Sequence, residues 1–437
     1  MSVAAFVLPS AGPAVRVLVA VALVVTGCAI AGAVARRLGQ PPVIGDIAAG
    51  ILLGPSALGA AWPAGERWLF GADLTAGLSL LAQLGAILFV FLAGAELRPA
   101  AIRAEGRLTL AVSQAAFAVP LACGVLLALP AHATLAPAGV GPVPFALFLG
   151  VAMTITAVPV LARILMDTGM WGGRVAVVAM TCATTGDALS WCLLAAVPAL
   201  LAGAAAGAAA ATLVLTLAVV AVVLFALVRP GLRRMSAGGG GTYGVPVVLG
   251  GLLLTAALTE WAGAHAIVGA FLFGVAFPGD SPLGDRVRGA LEGLLFPLLL
   301  PLFFVHSGLR TDLGGLTSPA LWLWCAVILV VAVGVKLTTV RLTARLAGAD
   351  RSTAAQLGVL LNCRGMTELV VLSIGLELGV IHGATYTIFV IMALVSTAMT
   401  APLLRRIRGT DVSPHSWEDH HDRNHTAGLA DGRAARD

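Results

Sequence analysis

The chain has 437 residues, of which 59% are hydrophobic and only 11% charged, with a mean hydropathy of +0.99. A soluble protein of this size cannot hide that much apolar surface, and apolar runs of about 18–25 residues recur as far as residue 408, so the chain reads as an all-α, polytopic membrane protein. The runs are continuous rather than alternating, which excludes a β-barrel, and the net charge of +5 comes from loop arginines, which excludes a nucleic-acid partner.

The first residues lack a basic n-region and run straight into a full-length span, so no cleaved signal peptide is expected. Thirteen transmembrane helices are predicted, over 15–35, 42–60, 75–97, 108–130, 144–166, 174–200, 203–228, 244–261, 264–279, 288–308, 319–346, 354–379 and 384–404. Arginines gather in the loops after odd-numbered spans, among them Arg36, Arg37, Arg98, Arg103, Arg229, Arg233, Arg234, Arg286, Arg405 and Arg406. Loops after even-numbered spans hold only Arg67 and Arg310. By the positive-inside rule the N-terminus lies outside and the C-terminus in the cytoplasm.

The fifth span carries "MTITAVPVLARIL" (153–165), with Thr154, Thr156 and Pro159 at mid-membrane depth. Pro159 removes a backbone donor and restricts its predecessor, which means either an ordinary kink or a true break. The sixth span places Asp187 in "TCATTGDALSW" (181–191), inside an apolar run with no other charge. A carboxylate there must take up a proton or bind a cation, and that competition is the simplest way to couple two ions. Thr184 and Ser190 lie three residues either side, on the same helix face, and supply hard oxygen ligands for a transiently bound Na⁺ or K⁺ at Asp187. A structural carboxylate bonded to neighbouring hydroxyls is the alternative.

"SAGGGG" (236–241) lacks the lysine and the preceding strand of a phosphate loop and reads as a linker between two halves. Lys336, in "VVAVGVKLTTV" (330–340), is the second mid-membrane charge, either functional or a structural counter-charge. In the twelfth span, "LLNCRGMTELVV" (360–371) interrupts an apolar run with Asn362, Arg364, Gly365, Thr367 and Glu368. Arg364 needs a partner at this depth, and Glu368 sits four residues on, on its own helix face. Asp46, Glu96 and Glu292 read as vestibule, packing or helix-end residues, and Glu260 and His265 as interface residues at an outer turn. The six cysteines have no metal-type spacing and read as small core residues. The tail, 411–437, reads as a short, disordered cytoplasmic segment whose four histidines are solvated.

The transmembrane domain (1–410) shows weak internal similarity. "GDIAAGILLGP" (45–55) is similar to "GAFLFGVAFP" (269–278), and "FLAGAELR" (91–98) to "FFVHSGLR" (303–310). An odd number of spans separates the copies, so they run in opposite directions, over about 42–200 and 264–404. Inverted repeats belong to secondary transporters, and this one predicts two broken helices crossing at the midplane.

These stretches, with "PPVIGDIAAGILLGPSALG" (41–59), "ILFVFLAGAELR" (87–98), "LPLFFVHSGLRTDL" (300–313) and "LGVLLNCRGMTELVVLSIGLELGVI" (357–381), resemble the monovalent cation:proton antiporters, most closely the branch of plant cation/proton exchangers and bacterial K⁺ or Na⁺/H⁺ antiporters. The resemblance implies the sodium/proton antiporter fold, with a core domain that moves against a dimerisation domain, and hence a homodimer in a bacterial plasma membrane. Asp187 matches the family's carrier aspartate, Thr156 its unwound stretch and Lys336 its basic residue, while Arg364 and Glu368 match its Asn-x-Arg-Gly and following Glu. The family's carrier is preceded by Asp in electrogenic members and often by Asn or Gln in electroneutral ones; here it is preceded by Gly186. One carboxylate implies one exchangeable charge and an electroneutral exchange of one proton per cation. No cofactor, nucleotide-binding domain or enzymatic activity is expected. A proton- or cation-coupled carrier of an organic solute on the same fold is the alternative.

Overall fold

The computed structural model describes residues 12–96, 106–171, 173–201, 206–237, 241–263 and 265–408, and its elements among these are helical. In chain order the helices are α1 (Pro13–Arg37), α2 (Pro42–Leu53), α3 (Pro63–Phe70), α4 (Ala72–Ala95), α5 (Gly106–Leu135), α6 (Pro142–Thr154), α7 (Val158–Asp167), α8 (Arg174–Leu194), α9 (Val197–Leu201) and α10 (Ala206–Val223). They continue with α11 (Arg229–Ala237), α12 (Gly244–Trp261), α13 (Ala266–Ala276), α14 (Pro282–Leu294), α15 (Leu300–Leu309), α16 (Pro319–Leu346), α17 (Arg351–Leu360), α18 (Met366–Glu377) and α19 (Gly383–Arg408).

Local chemistry sets many of the starts. Proline occupies the first turn of α1, α2, α6, α14 and α16, where its missing N–H is no loss. Ser281 and Ser318 cap α14 and α16 through their hydroxyls. Asp350 caps α17 in the loop before it, and the bonds from Thr353 and Ser352 hold its carboxyl below the usual carboxylate range.

Eleven helical segments among the described residues are long and apolar enough to cross a membrane. Two of the thirteen expected spans are not among these eleven. The ninth expected span is the 11-residue helix α13, too short to cross alone. The twelfth is interrupted into α17 and α18, of 10 and 12 residues. The tenth starts earlier than expected, at Pro282, so Glu292 lies inside the helical segment and does not cap it. The expected tail, 411–437, and residues 238–240 of the expected linker lie outside the described residues, while Ser236 and Ala237 end α11. Cys192 is exposed, which corrects its reading as a core residue.

The helices pack as two groups. A scaffold group joins α1 to α4 with α12 to α15, and a core group joins α5 to α8 with α16 to α19. Within the scaffold, α2 and α15 touch backbone to backbone: a Cβ on Gly308 would lie 2.4 Å from the carbonyl carbon of Gly50. In lipid, where apolar contact alone gives helices no reason to associate, such close approach supplies the dispersion contact that holds them. The groups meet along α2–α19, α8–α13 and α15–α18.

Candidate functional site

The core group is organised by two interruptions. The backbone leaves the helix over 155–157, between α6 and α7, and over 361–365, between α17 and α18. Pro159 falls in the first turn of α7, so it starts the second half of a broken helix rather than kinking a continuous one. The two extended stretches cross and bond to each other. Ala157 N donates to Cys363 O at 3.1 Å, and the Thr156 hydroxyl donates to Leu361 O at 2.8 Å. Gly365 sits at φ +157°, where a Cβ would lie 2.9 Å from Val160 Cγ2, so its lack of a side chain is what lets α18 begin there.

A broken helix exposes carbonyls that no water reaches at this depth. At the end of α6 all four find a side-chain donor. The Thr154 hydroxyl donates to Val151 O at 2.7 Å. The Arg364 guanidinium forks onto Ala152 O and Met153 O, each at 2.8 Å. Lys336 Nζ donates to Thr154 O. Two cations thus stand at the negative end of the α6 dipole, the favourable end for positive charge. Both are almost completely buried, at 1% exposure.

Arg364 is also paired: its Nη1 lies 3.2 Å from Glu368 Oε1. The backbone of Arg364 is pinned by Thr397 on α19, whose hydroxyl accepts from Arg364 N at 2.8 Å and donates to Arg364 O at 2.6 Å. Asn362 Nδ2 reaches Ser396 O at 3.4 Å. The contribution of α19 was missed from the sequence, although the small polar run "STAMT" (396–400) in an apolar span was a signal for it.

Asp187 differs from every group just described. It lies midway along α8, 4% exposed, and neither carboxylate oxygen has a hydrogen-bond partner. One turn on, the Ser190 hydroxyl is bonded to the Thr154 hydroxyl at 2.9 Å, which ties the helix of Asp187 to the break in α6. Lys336 gives its hydrogen bond to a carbonyl and forms no ion pair with Asp187. Gly186 leaves open space: nothing lies within 4 Å of where its Cβ would be. Thr184, half-buried, donates to Met180 O of its own helix at 2.6 Å, which leaves its lone pairs available to a ligand. Thr154, Ser190 and Lys336 are thus brought together one turn from Asp187, while Thr156 lies at the crossing with Arg364, Glu368, Asn362 and Gly365.

A cavity of about 450 Å³ opens between the two helix groups. Asp46, Glu96 and Glu292 line it on the scaffold side and Arg163 on the core side. Its inner wall includes Val158, Pro159 and Met366, the first residues of α7 and α18. It therefore reaches the crossing but not Asp187, which is closed off in this conformation. The three acidic residues treated as minor in the sequence share this one vestibule.

Two broken helices crossing within the membrane, beside a lone carboxylate with no partner, define the architecture of an ion-coupled secondary transporter. The profile of the family described as sodium/hydrogen exchanger, transmembrane, matches residues 21–406, and the chain belongs to that family. It is 38% identical over 396 residues to the Na(+)/H(+) antiporter NhaS4 of Synechocystis, covering 88% of this chain and 95% of that protein. It is 33% identical over 394 residues to cation/H(+) antiporter 20 of Arabidopsis thaliana, and 30% over 392 to K(+)/H(+) antiporter 1 of Saccharomyces cerevisiae. These matches take in 86% and 87% of this chain, which spans only 47% and 44% of those two longer proteins. Its fold is similar to that of the sodium proton antiporter MjNhaP1 from Methanocaldococcus jannaschii, with a TM-score of 0.54 over 90% of this chain and 97% of that one, at 12% identity. The resemblance read from the sequence is therefore correct. None of these relatives bears the name of an organic-solute carrier, so that alternative finds no support.

Proposed function

We propose that this protein exchanges a monovalent cation, Na⁺ or K⁺, for a proton by alternating access, as a carrier rather than an enzyme, with Asp187 as the shared binding group. The observation that carries this reading is the pair of partnerless Asp187 oxygens in an interior where every other charge near the crossing is engaged. A charged carboxylate left this way costs several kcal/mol, a cost removed by a proton or by a cation and not by anything else nearby. The bound cation would find oxygen ligands in Asp187, Ser190, Thr184 and the Thr154 and Thr156 hydroxyls. Lys336, Arg364 and Glu368 compensate the charge of the site and hold the break open.

With Gly186 before it, Asp187 is one carboxylate and carries one exchangeable charge, so one proton moves per cation and no net charge crosses. The arginine pattern supports a cytoplasmic C-terminus and a vestibule open to the cytoplasm. The family resemblance supports a lipid-embedded homodimer in a bacterial plasma membrane.

The test is proton flux in sealed proteoliposomes, read with a pH dye on pulses of Na⁺, K⁺ or choline, at zero and at a large imposed membrane potential. Cation-specific flux that ignores voltage and disappears in Asp187→Asn is the expected result. A voltage-dependent rate with a measured current would overturn the one-to-one exchange. Silence with every cation from folded protein would overturn cation antiport itself.

A further inference from the structure

The scaffold and core groups stand apart at one end of their interface and are clasped at the other. The 450 Å³ vestibule lies at the end marked by Asp46, Glu96 and Glu292. At the opposite end the gap between α4, α13, α15 and α18 narrows to about 30 Å³, room for a single water. His306 faces this small cavity, and its Nε2 has no partner.

Glu377, the last residue of α18, sits over that gap. It belongs to the core, and both of its ionic partners belong to the scaffold. Its Oε2 accepts from His265 Nε2 at 3.2 Å, and its Oε1 accepts from Arg310 Nη1 at 3.2 Å. The imidazole is set for this role by its own helix: His265 caps α13, with Nδ1 accepting from Ile267 N at 3.4 Å, which leaves Nε2 as the donor. Two more bonds cross at the same end. The Tyr386 hydroxyl donates to Ser307 O at 3.1 Å, and Asp312 N donates to the Thr387 hydroxyl at 3.2 Å. Asp312 is a second acidic group at this end, and a third, Glu260, accepts from Ala266 N at 2.6 Å and serves the turn into α13.

We propose that Glu377 is the latch of the closed half of the pathway, joining core to scaffold through His265 and Arg310 and releasing both when the carrier site turns towards that face. This rests on the alternating-access reading above. By the arginine pattern, the latched face is the outer one. Glu377 is 43% exposed, so solvent screens both pairs, and each contributes a factor of about 5 at most. A latch this weak biases the two conformations without trapping either, because the energy of ion binding can exceed it.

The test compares hydrogen–deuterium exchange of the full chain in lipid nanodiscs between wild type and Glu377→Gln. Exchange is expected to rise over 260–267, 307–313 and 374–388, and to fall over 41–46, 158–166 and 292–300, as the population moves by roughly three- to twenty-fold towards the opposite opening. Arg310→Gln, which removes one pair at an exposed site, is expected to give a smaller shift of the same sign. Unchanged exchange at both ends would overturn the proposal. So would a rise at the latched end with no fall at the vestibule, which is local fraying rather than a linked movement. Because the readout needs no transport, a failure of cation antiport would show separately, as absent flux in wild type.

Discussion

Asp187 and Glu368 are both buried carboxylates in the same helix group, at 4% and 0% exposure, and they are handled in opposite ways. Glu368 has a fixed counter-charge at 3.2 Å in Arg364, and Arg364 in turn closes off two helix-end carbonyls. The Asp187 carboxylate has no hydrogen-bond partner, and Lys336 is committed to the carbonyl of Thr154. A charge that is satisfied by the protein becomes part of its architecture. A charge that the protein leaves unsatisfied needs something from outside, and an exchanger requires such a group. Among the described carboxylates of the core group, Asp187 is left with both oxygens unpartnered, and the proposed function rests on that difference.

The contrast can be broken most completely at Asp187. Asp187→Asn keeps the shape but removes the charge, so exchange should drop to background, at least about 100-fold, while the melting temperature holds or rises because an unpaired buried acid is gone. Flux assays and thermal denaturation of the same preparation decide this. A variant that unfolds would show the carboxylate to be structural.

At the other carboxylate the order reverses. Arg364→Met leaves Glu368 without its cation and the carbonyls of Ala152 and Met153 without donors, at a cost of about 3–5 kcal/mol. The expected outcome is a steep loss of thermal stability, and Arg364→Met/Glu368→Leu should recover part of it. If the single variant melts like wild type, the crossing is not held by this pair.

Gly186→Asp sharpens the comparison by placing a second carboxylate beside the first. Nothing lies within 4 Å of the Gly186 Cβ position, so the fold should accept it. It would offer a partner to Lys336, and current should then accompany exchange, read as voltage-dependent flux on a solid-supported membrane. Continued electroneutral exchange would show that residue 186 does not set the charge carried.

The smallest effect on exchange is expected at α19. Thr397→Val removes a hydroxyl that holds both the N–H and the carbonyl of Arg364 and leaves two buried backbone groups unsatisfied, at about 1–3 kcal/mol each. Stability should fall, with cation selectivity retained, as measured by melting and by competing Na⁺ and K⁺ pulses.

Much of this molecule was legible in its sequence, because lipid imposes simple rules on a chain. Length and apolarity marked the spans, since every backbone group in a bilayer must be satisfied within a helix. Asp187, Lys336 and Arg364 stood out because a charge at that depth is too costly to be accidental. The inverted similarity and the interruptions at 153–165 and 360–371 told where the helices would break. Tertiary structure alone decided which donor meets which acceptor. Lys336 goes to a carbonyl rather than to Asp187, Arg364 bridges two broken helices, and Ser396 and Thr397 join from a span that had looked inert. It also decided that His265, Arg310 and Glu377, each ordinary in sequence, meet across one interface. Periodicity and hydropathy are properties of one chain segment in its solvent. A hydrogen bond between residues two hundred positions apart depends on how whole helices are placed, and no local pattern encodes that distance.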